Sequence, residues 1–318
     1  MVTAADEERS ARIAALGFDY AAHELEPVKE CNLCGSRYHI EVATRDRYGY
    51  PAVFLVCRRC GLGFISPRLG VRDYERFYKS IYRPLVSAYY GRDINAVTVQ
   101  DEQRAYATAL VSFFRAHLER SPRHVLDLGG STGIVASAVR DEFGAVPTVL
   151  DPSPDELRLA AAAGMETIAG FAESFEPGER RWDLVLLCQT IDHLLDVGAT
   201  VHAIRGMLET HGYAFIDIID VEFMAQQHGA VESAIKVDHT HYLTPGTARA
   251  YFDRAGLKVI AERMSWGGQW GFLLAPGEPR EPDWQELAHR GEEMLAGFWR
   301  LRTGQRTPLK AVRRLEAG

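Results

Sequence analysis

Two sets of residues in this chain have the types and spacing to do chemistry. The first is cysteine. Cys31-x-x-Cys34 and Cys57-x-x-Cys60 stand 22 residues apart, and each pair runs directly into a glycine, Gly35 and Gly61. A Cys-x-x-Cys-Gly turn lets two thiolates converge on one ion while backbone amides face the sulfurs, and two such turns complete a tetrahedron. Four soft ligands in a closed shell select Zn²⁺. Such a site has no open position for water, so its expected role is structural: it fastens a module too small to build its own core. Two disulfides or a redox pair are the competing readings, and the matching second pair and a reducing compartment disfavour both. The fifth cysteine, Cys188, ends an apolar run and reads as a core thiol.

The second set is a glycine loop followed by an acid. His124-Val-Leu-Asp-Leu-Gly-Gly-Ser-Thr-Gly133 reads as strand, tight turn and helix start. Gly129 and Gly133 let a ligand approach the backbone closely. The next strand ends in Val149-Leu150-Asp151, and Asp151 stands 22 residues beyond Gly129. A carboxylate at that place can accept both hydroxyls of a ribose, which points to an adenosine-bearing cofactor. A dinucleotide fingerprint needs G-x-G-x-x-G, and these positions hold Gly129, Ser131 and Ile134. The Gly-Lys-Ser/Thr of a P-loop is absent too.

The elements that must position these groups follow from patterning. Short apolar runs at 124–128, 148–150, 166–169, 184–187, 213–219, 258–264 and 270–274 alternate with amphipathic stretches at 134–143, 154–163, 199–208 and 247–255. Strands alternating with helices predict βαβ units and a mainly parallel sheet, an α/β fold. Leu184–Leu187 is continuously apolar, as a strand buried on both faces should be. The length of 318 residues allows more than one domain. The expected divisions are an N-terminal helical segment (1–29), a zinc-binding module (30–66), a helical linker or cap (67–120), a cofactor-binding domain (121–275) and a C-terminal helical extension (276–318). The net charge of −7 argues against a nucleic-acid binder. With no apolar run of membrane length and an acidic N-terminus without a signal-peptide core, the expected location is cytoplasmic, with no membrane partner. Six basic residues between Arg300 and Arg314 read as a solvated helix or as a contact to phosphate or a partner chain.

The loop and its neighbours resemble motif I of the class I S-adenosylmethionine (SAM)-dependent methyltransferases, an acid followed by x-G-x-G-x-G, here Asp127, Gly129, Ser131 and Gly133. Trp182-Asp-Leu-Val-Leu-Leu-Cys-Gln-Thr-Ile-Asp-His193-Leu resembles that family's fourth-strand segment, and Gly170-Phe-Ala-Glu173 its adenine region. Within the family, the Cys₄ module, the link Val56–Arg68 with Tyr74–Tyr78, and Asp238-His239-Thr-His-Tyr242 are similar to the deoxysugar C-methyltransferases, in which the last segment reads E-H-x-x-Y-F. The longer C-terminal domain of that group is not matched, so either a smaller substrate or a second chain is expected at the pocket.

The resemblance implies a Rossmann-like class I methyltransferase sheet with helices on both faces, plus a small N-terminal zinc ribbon. It implies SAM bound by Asp127, Gly129, Gly130, Ser131, Gly133, Asp151, Pro152, Phe171, Ala172, Gln189 and Tyr78, with structural Zn²⁺ on the four cysteines. The implied acceptor is a small polar metabolite, a nucleotide-activated sugar or a sugar-like antibiotic or polysaccharide precursor. O- or C-methylation also needs a proton removed, which suits an imidazole. The candidates rank His239, His193, then His241, with Tyr242 and Asp238 orienting or relaying. Tyr74, Phe77, Tyr78, Tyr82, Tyr89 and Tyr90 either roof the site or pack as core. The C-terminal helix offers a surface for oligomerisation. Competing readings are an O- or N-methyltransferase of a non-sugar natural product and a catalytically silent zinc-ribbon interaction protein.

Overall fold

The computed structural model describes residues 4–265 and 267–304. The chain opens with α1 (Ala4–Ala14) and the two-residue strand β1 (Leu25–Glu26). Then come β2 (His39–Ala43), β3 (Phe54–Cys57), β4 (Gly63–Ile65) and β5 (Arg68–Leu69). Helices α2 (Val71–Ser80), α3 (Tyr82–Tyr90) and α4 (Val99–His117) follow.

The alternating part begins with β6 (His124–Leu128), α5 (Ile134–Phe143), β7 (Val146–Asp151), α6 (Pro154–Ala162), β8 (Glu166–Ala169) and β9 (Trp182–Leu187). It continues through α7 (Val197–Met207), β10 (Leu208–Ile219), α8 (Val221–His228), the short β11 (His241–Tyr242) and α9 (Pro245–Ala255). It closes with β12 (Leu257–Met264), β13 (Gln269–Pro276) and α10 (Trp284–Arg302). The basic run from Arg300 continues past Gly304, and that remainder lies outside the described residues.

Seven strands form one sheet in the order β12-β13-β10-β9-β6-β7-β8. Pairings from β10 through β8 are parallel, and β13 pairs antiparallel with both β10 and β12. Strand side chains alternate between faces, and both faces here are apolar. Val125, Leu184, Leu186, Phe215 and Leu273 pack with Leu110 and Phe114 of α4 and Val139 of α5. Leu126, Val185, Leu187, Ile216 and Phe272 face the other way, with Val201 and Ile204 of α7 and Phe252 of α9. This explains why β9 reads as an unbroken apolar run.

Helix starts are locally encoded. Ser153 caps α6 by accepting from Glu156 N, with Pro154 in the first turn. Thr244 and Thr247 form a capping box on α9 ahead of Pro245.

The chain runs β6–β7–β8 outward, then returns to place β9 on the other side of β6. A crevice opens at such a switch point, beyond the carboxyl ends of the strands. The loops after β6 and β9 meet there. A second, four-stranded sheet has the order β11-β4-β3-β2, so its edge strand comes from far along the chain. No helix among the described residues is long and apolar enough to cross a membrane.

Candidate active site

The loop after β6 is shaped by its hydrogen bonds. The amides of Gly129 and Gly130 both donate to Leu150 O, at 2.7 and 3.2 Å, which ties the loop to the end of β7. Gly129 has φ +70°, and a Cβ there would lie 2.6 Å from Thr190 Oγ1. A side chain at this position would be strained and would collide with the loop after β9.

Asp151 completes the cradle. Its Oδ2 accepts from Ser131 N at 2.9 Å and its Oδ1 from Ser153 N at 2.8 Å. Burial pushes its carboxyl up to about 6. Beneath the loop, both oxygens of Asp127 are buried without a hydrogen bond of normal geometry, and burial with the nearby Asp151 pushes this acid up to about 7. The hydroxyl of Ser131 is also buried without a partner.

A cavity of about 610 Å³ opens onto this loop. Gly129, Ser131, Asp151, Pro152, Phe171, Ala172, Gln189 and Tyr78 line it, whereas Asp127, Gly130 and Gly133 do not. The tight loop, an acid held by two amides and unpartnered polar atoms beneath it fit an adenosine-bearing cofactor such as SAM.

Sequence reasoning missed several residues here. Arg83 of α3 holds Glu156 through Nε at 2.9 Å and NH2 at 2.6 Å, and both line the cavity near Asp151. Asp217 of β10 accepts from Gln189 N at 2.5 Å, from Tyr106 OH at 2.5 Å and from Gln269 Nε2 at 2.7 Å. Gln189 needs that anchor because its φ is +52°, costly for a residue with a side chain. Cys188 also lines the cavity rather than sitting wholly within the core. The one local signal was polarity: Asp217 interrupts the apolar run of β10.

The opposite wall carries the histidines. The Tyr74 hydroxyl lies between His193 O at 2.7 Å and Asp238 O at 2.8 Å, tying α2 to both segments. The Tyr78 hydroxyl meets His193 Nδ1, which lies 2.8 Å from Asp238 O. A carbonyl only accepts, so Nδ1 carries the proton towards Asp238 and Nε2 keeps the lone pair. His193 lines the cavity, and burial lowers its imidazole to about 4.

Behind it, the His239 ring meets His193 edge-on at 4.4 Å between centroids. His239 Nε2 lies 3.7 Å from Asp238 Oδ2, and Nδ1 lies 3.9 Å from Asp192 Oδ2. Burial, reinforced by Lys236 and His193, holds His239 well below the usual histidine range. Burial also raises the Asp192 carboxyl.

His193, Asp238 and His239 bring donor atoms within 4.8 Å of one another, the outline of a metal site. Lys236 Nζ lies 3.9 Å from the same Asp238 Oδ2, however, and already supplies the countercharge. The arrangement suits proton handling better than a cation.

His239, the first-ranked candidate, does not line the cavity, and neither do His241 and Tyr242. His241 Nδ1 is placed on Leu194 O at 2.9 Å and Thr240 Oγ1 at 3.0 Å. The Tyr242 hydroxyl donates to Lys236 O and accepts from Lys236 N, each at 2.7 Å.

The four cysteines converge at the other end of the small sheet. Cys31 and Cys60 sulfurs lie 3.5 Å apart, as do those of Cys34 and Cys57, and all four fall within 4.8 Å. All are free thiols. A tetrahedron with metal–sulfur bonds of about 2.3 Å has edges of about 3.8 Å, so this donor set could hold Zn²⁺ with little movement. In each knuckle the glycine amide bonds back to the first cysteine carbonyl, Gly35 N to Cys31 O at 2.8 Å and Gly61 N to Cys57 O at 2.9 Å.

Comparison with known proteins accords with this geometry. Residues 99–262, just over half of the chain, match the family described as a methyltransferase domain. A ubiquinone biosynthesis O-methyltransferase from Methylobacterium nodulans is 25% identical over 190 residues, covering 51% of this chain and 75% of that protein. The solved complex of the Trm112 methyltransferase activator with a methyltransferase from Haloferax volcanii has a TM-score of 0.50 at 16% identity, over 65% of this chain and 98% of that one. Magnesium protoporphyrin IX methyltransferase from Synechocystis, solved with S-adenosylhomocysteine (SAH), has a TM-score of 0.49 at 11% identity, over 64% and 98%. The loop, the anchored acid and the family match together place this chain among the class I methyltransferases, as an enzyme that uses SAM.

Proposed function

We propose that this enzyme methylates a small polar acceptor of sugar-like chemistry, a nucleotide-activated sugar or a related precursor, with a histidine removing the proton. The observation that carries this reading is His193 on the cavity wall, with the His239 ring behind it at 4.4 Å between centroids and Asp192 and Asp238 beside His239, while the glycine loop and Asp151 line the same cavity. When bound, SAM supplies an electrophilic methyl group, and the electron pair of the breaking bond stays on sulfur. Asp151 takes the ribose hydroxyls, Gly129 and Ser131 border the methionine end, and Phe171 with Ala172 borders the adenine. Gln189, fixed by Asp217, forms the floor beneath the transfer. The chain's main task is to align acceptor and donor and exclude water.

His193 Nε2, on the cavity wall, takes the acceptor proton, and His239 backs that imidazole from behind. An imidazole held below its usual range stays neutral at physiological pH and so remains able to accept. Tyr74 and Tyr78 position His193 and the Asp238 carbonyl. The four cysteines hold a structural Zn²⁺ that fastens the small sheet.

A second reading is O-methylation of an aromatic, non-sugar acceptor. The Tyr74, Tyr78 and Tyr82 rings on the cavity wall, with centroids 5.0 Å apart in sequence, favour it, as does the kinship with an O-methyltransferase.

Calorimetric titration with SAM and SAH, followed by label transfer to a panel of nucleotide sugars and catechols, tests both. Micromolar binding with label in a sugar supports the first reading, and label only in catechols supports the second. A folded, zinc-loaded chain that binds neither ligand would overturn both.

A further inference from the structure

The carboxylates that line the cavity are Glu102, Asp151, Asp155, Glu156 and Glu173. The amides of Ser131 and Ser153 hold Asp151. Glu156 pairs with Arg83, Asp155 with Arg158 and Glu102 with Arg92. Glu173 differs from them. Among the described residues it has no ion-pair partner, and it is exposed at the cavity wall.

Its place is fixed by the backbone. Asp151 and Ala169 are ladder partners at the ends of β7 and β8, and Gly170 N donates to Asp151 O at 3.2 Å. The segment 171–173 therefore starts beside the acid that takes the ribose. Phe171 and Ala172 border the adenine end, and Glu173 is the first charged group beyond them.

The same side chain reaches the catalytic loop. Glu173 Oε1 accepts from Leu195 N at 2.8 Å, two residues past His193. The carbonyls of that loop are held by other groups: His193 O by Tyr74, Leu194 O by His241 and Leu195 O by Arg68. Among these holders Glu173 is the charged group that lines the cavity. A carboxylate has about four acceptor sites. Leu195 N and the residue's own amide take part of them, and exposure leaves the rest accessible. The exocyclic amino group of adenine has two N–H donors to offer, which suits that edge. A 6-oxo purine would set oxygen against oxygen there.

We propose that Glu173 joins the cofactor to the loop that carries the base, accepting from the adenine amino group on one edge and from Leu195 N on the other. It is thus a binding residue for the cofactor and a positioning residue for His193. Bound adenine fixes the carboxylate, and the carboxylate fixes the backbone beyond the imidazole. The assignment rests on the SAM reading of the cavity and on His193 as the base.

Two arms test it, and neither needs an acceptor. The first is calorimetry on the full zinc-loaded chain with SAH and with its 6-oxo analogue, S-inosylhomocysteine. Wild type is expected to bind SAH about 30-fold more tightly. Glu173→Gln keeps an oxygen for Leu195 N and turns its amide NH2 towards the base. It is expected to bring the two ligands within about threefold or to reverse their order. Equal binding by wild type, or a preference that survives in Glu173→Gln, overturns the proposal and leaves the SAM reading standing. A folded wild type that binds neither ligand overturns the SAM reading, and this assignment falls with it.

The second arm is amide hydrogen exchange over residues 193–196. SAH is expected to slow exchange at Leu195 by about tenfold in wild type and to leave it unchanged in Glu173→Ala. Equal protection by SAH in both proteins overturns the link to the His193 loop.

Discussion

Phe64 pairs with His241 across an antiparallel ladder, and Ile65 N donates to Thr240 O at 3.1 Å. Phe64 follows directly from the second cysteine knuckle, and His241 follows directly from Asp238 and His239. The cysteine-held sheet thus carries the histidine segment as its edge strand. Arg68 adds a second tie through NH2 to Leu195 O at 2.7 Å. The glycine loop proposed to hold the cofactor hangs instead on β6 and β7 and shares none of these bonds.

Metal removal should therefore separate catalysis from cofactor binding. Wild-type protein is expected to carry one zinc per chain, and Cys57→Ser to carry almost none. Closed Cys₄ sites contribute on the order of 10 kcal/mol to local folding, so the small sheet should loosen and the melting temperature should fall. Methyl transfer should drop by about 100-fold or more, while SAH affinity changes by less than about tenfold. Elemental analysis, melting curves and calorimetry on the same samples check this. An unchanged melting temperature in Cys57→Ser would sink the idea.

Asp151 gives a pH dependence. Burial raises its carboxyl to about 6 in the folded chain, against about 3.9 unfolded. The folded state therefore holds an extra proton between about pH 4 and 6, and this group's contribution to stability falls as pH rises through that window. Ligand binding runs the other way, because only the charged carboxylate is a strong acceptor for the ribose hydroxyls. SAH affinity is expected to tighten from pH 5 to 7 and then level off. Asp151→Asn should flatten that slope and cost about 2 kcal/mol of binding at pH 7.5. Asp127, raised to about 7, titrates nearby, and a slope that survives in Asp151→Asn would move the effect to it.

Local signals carried much of this site, and long-range ones did not. The β6–loop–α5 unit and the Asp151 strand end lie within 28 residues, and the glycine spacing, the buried apolar runs and the capping residues encode them directly. The cysteine turns are equally local. Tyr106 and Asp217 stand 111 positions apart, and nothing in either neighbourhood marks the partner. The same holds for Arg83 and Glu156, 73 apart. The edge strand β11 is two residues long, too short to leave a periodic pattern.

The Tyr106–Asp217–Gln189 chain should act on rate rather than on cofactor affinity. Tyr106→Phe removes one donor from a buried carboxylate that still keeps Gln269 and the Gln189 amide. Burial already raises Asp217 to about 6, and losing the phenol should raise it further. The Gln189 backbone, held at φ +52°, then relaxes. The expected result is a loss of about 1–2 kcal/mol in stability and about tenfold in kcat, with SAH affinity within threefold of wild type. Denaturant melts and single-turnover label transfer check both, and a larger change in affinity than in kcat would refute the assignment.

Two glycines in one helix should respond with opposite sign. Gly291 and Gly297 both lie inside α10, where replacing glycine by alanine ordinarily stabilises by about 1 kcal/mol. At Gly297 an added Cβ meets nothing nearer than 3.9 Å, so Gly297→Ala should follow that rule. At Gly291 the added Cβ would lie 2.9 Å from Gly61 Cα and 3.1 Å from its amide nitrogen. Those are backbone atoms of the second cysteine knuckle, and they cannot swing aside. Overpacking of this kind costs about 1–3 kcal/mol, which exceeds the propensity gain. Gly291→Ala is therefore expected to lower the melting temperature and Gly297→Ala to raise it. Because the clash falls on the knuckle, Gly291→Ala should also speed zinc loss to a chelator such as EDTA, while Gly297→Ala leaves that rate unchanged. Equal stabilisation by both variants would mean that α10 does not press on the cysteine module in solution.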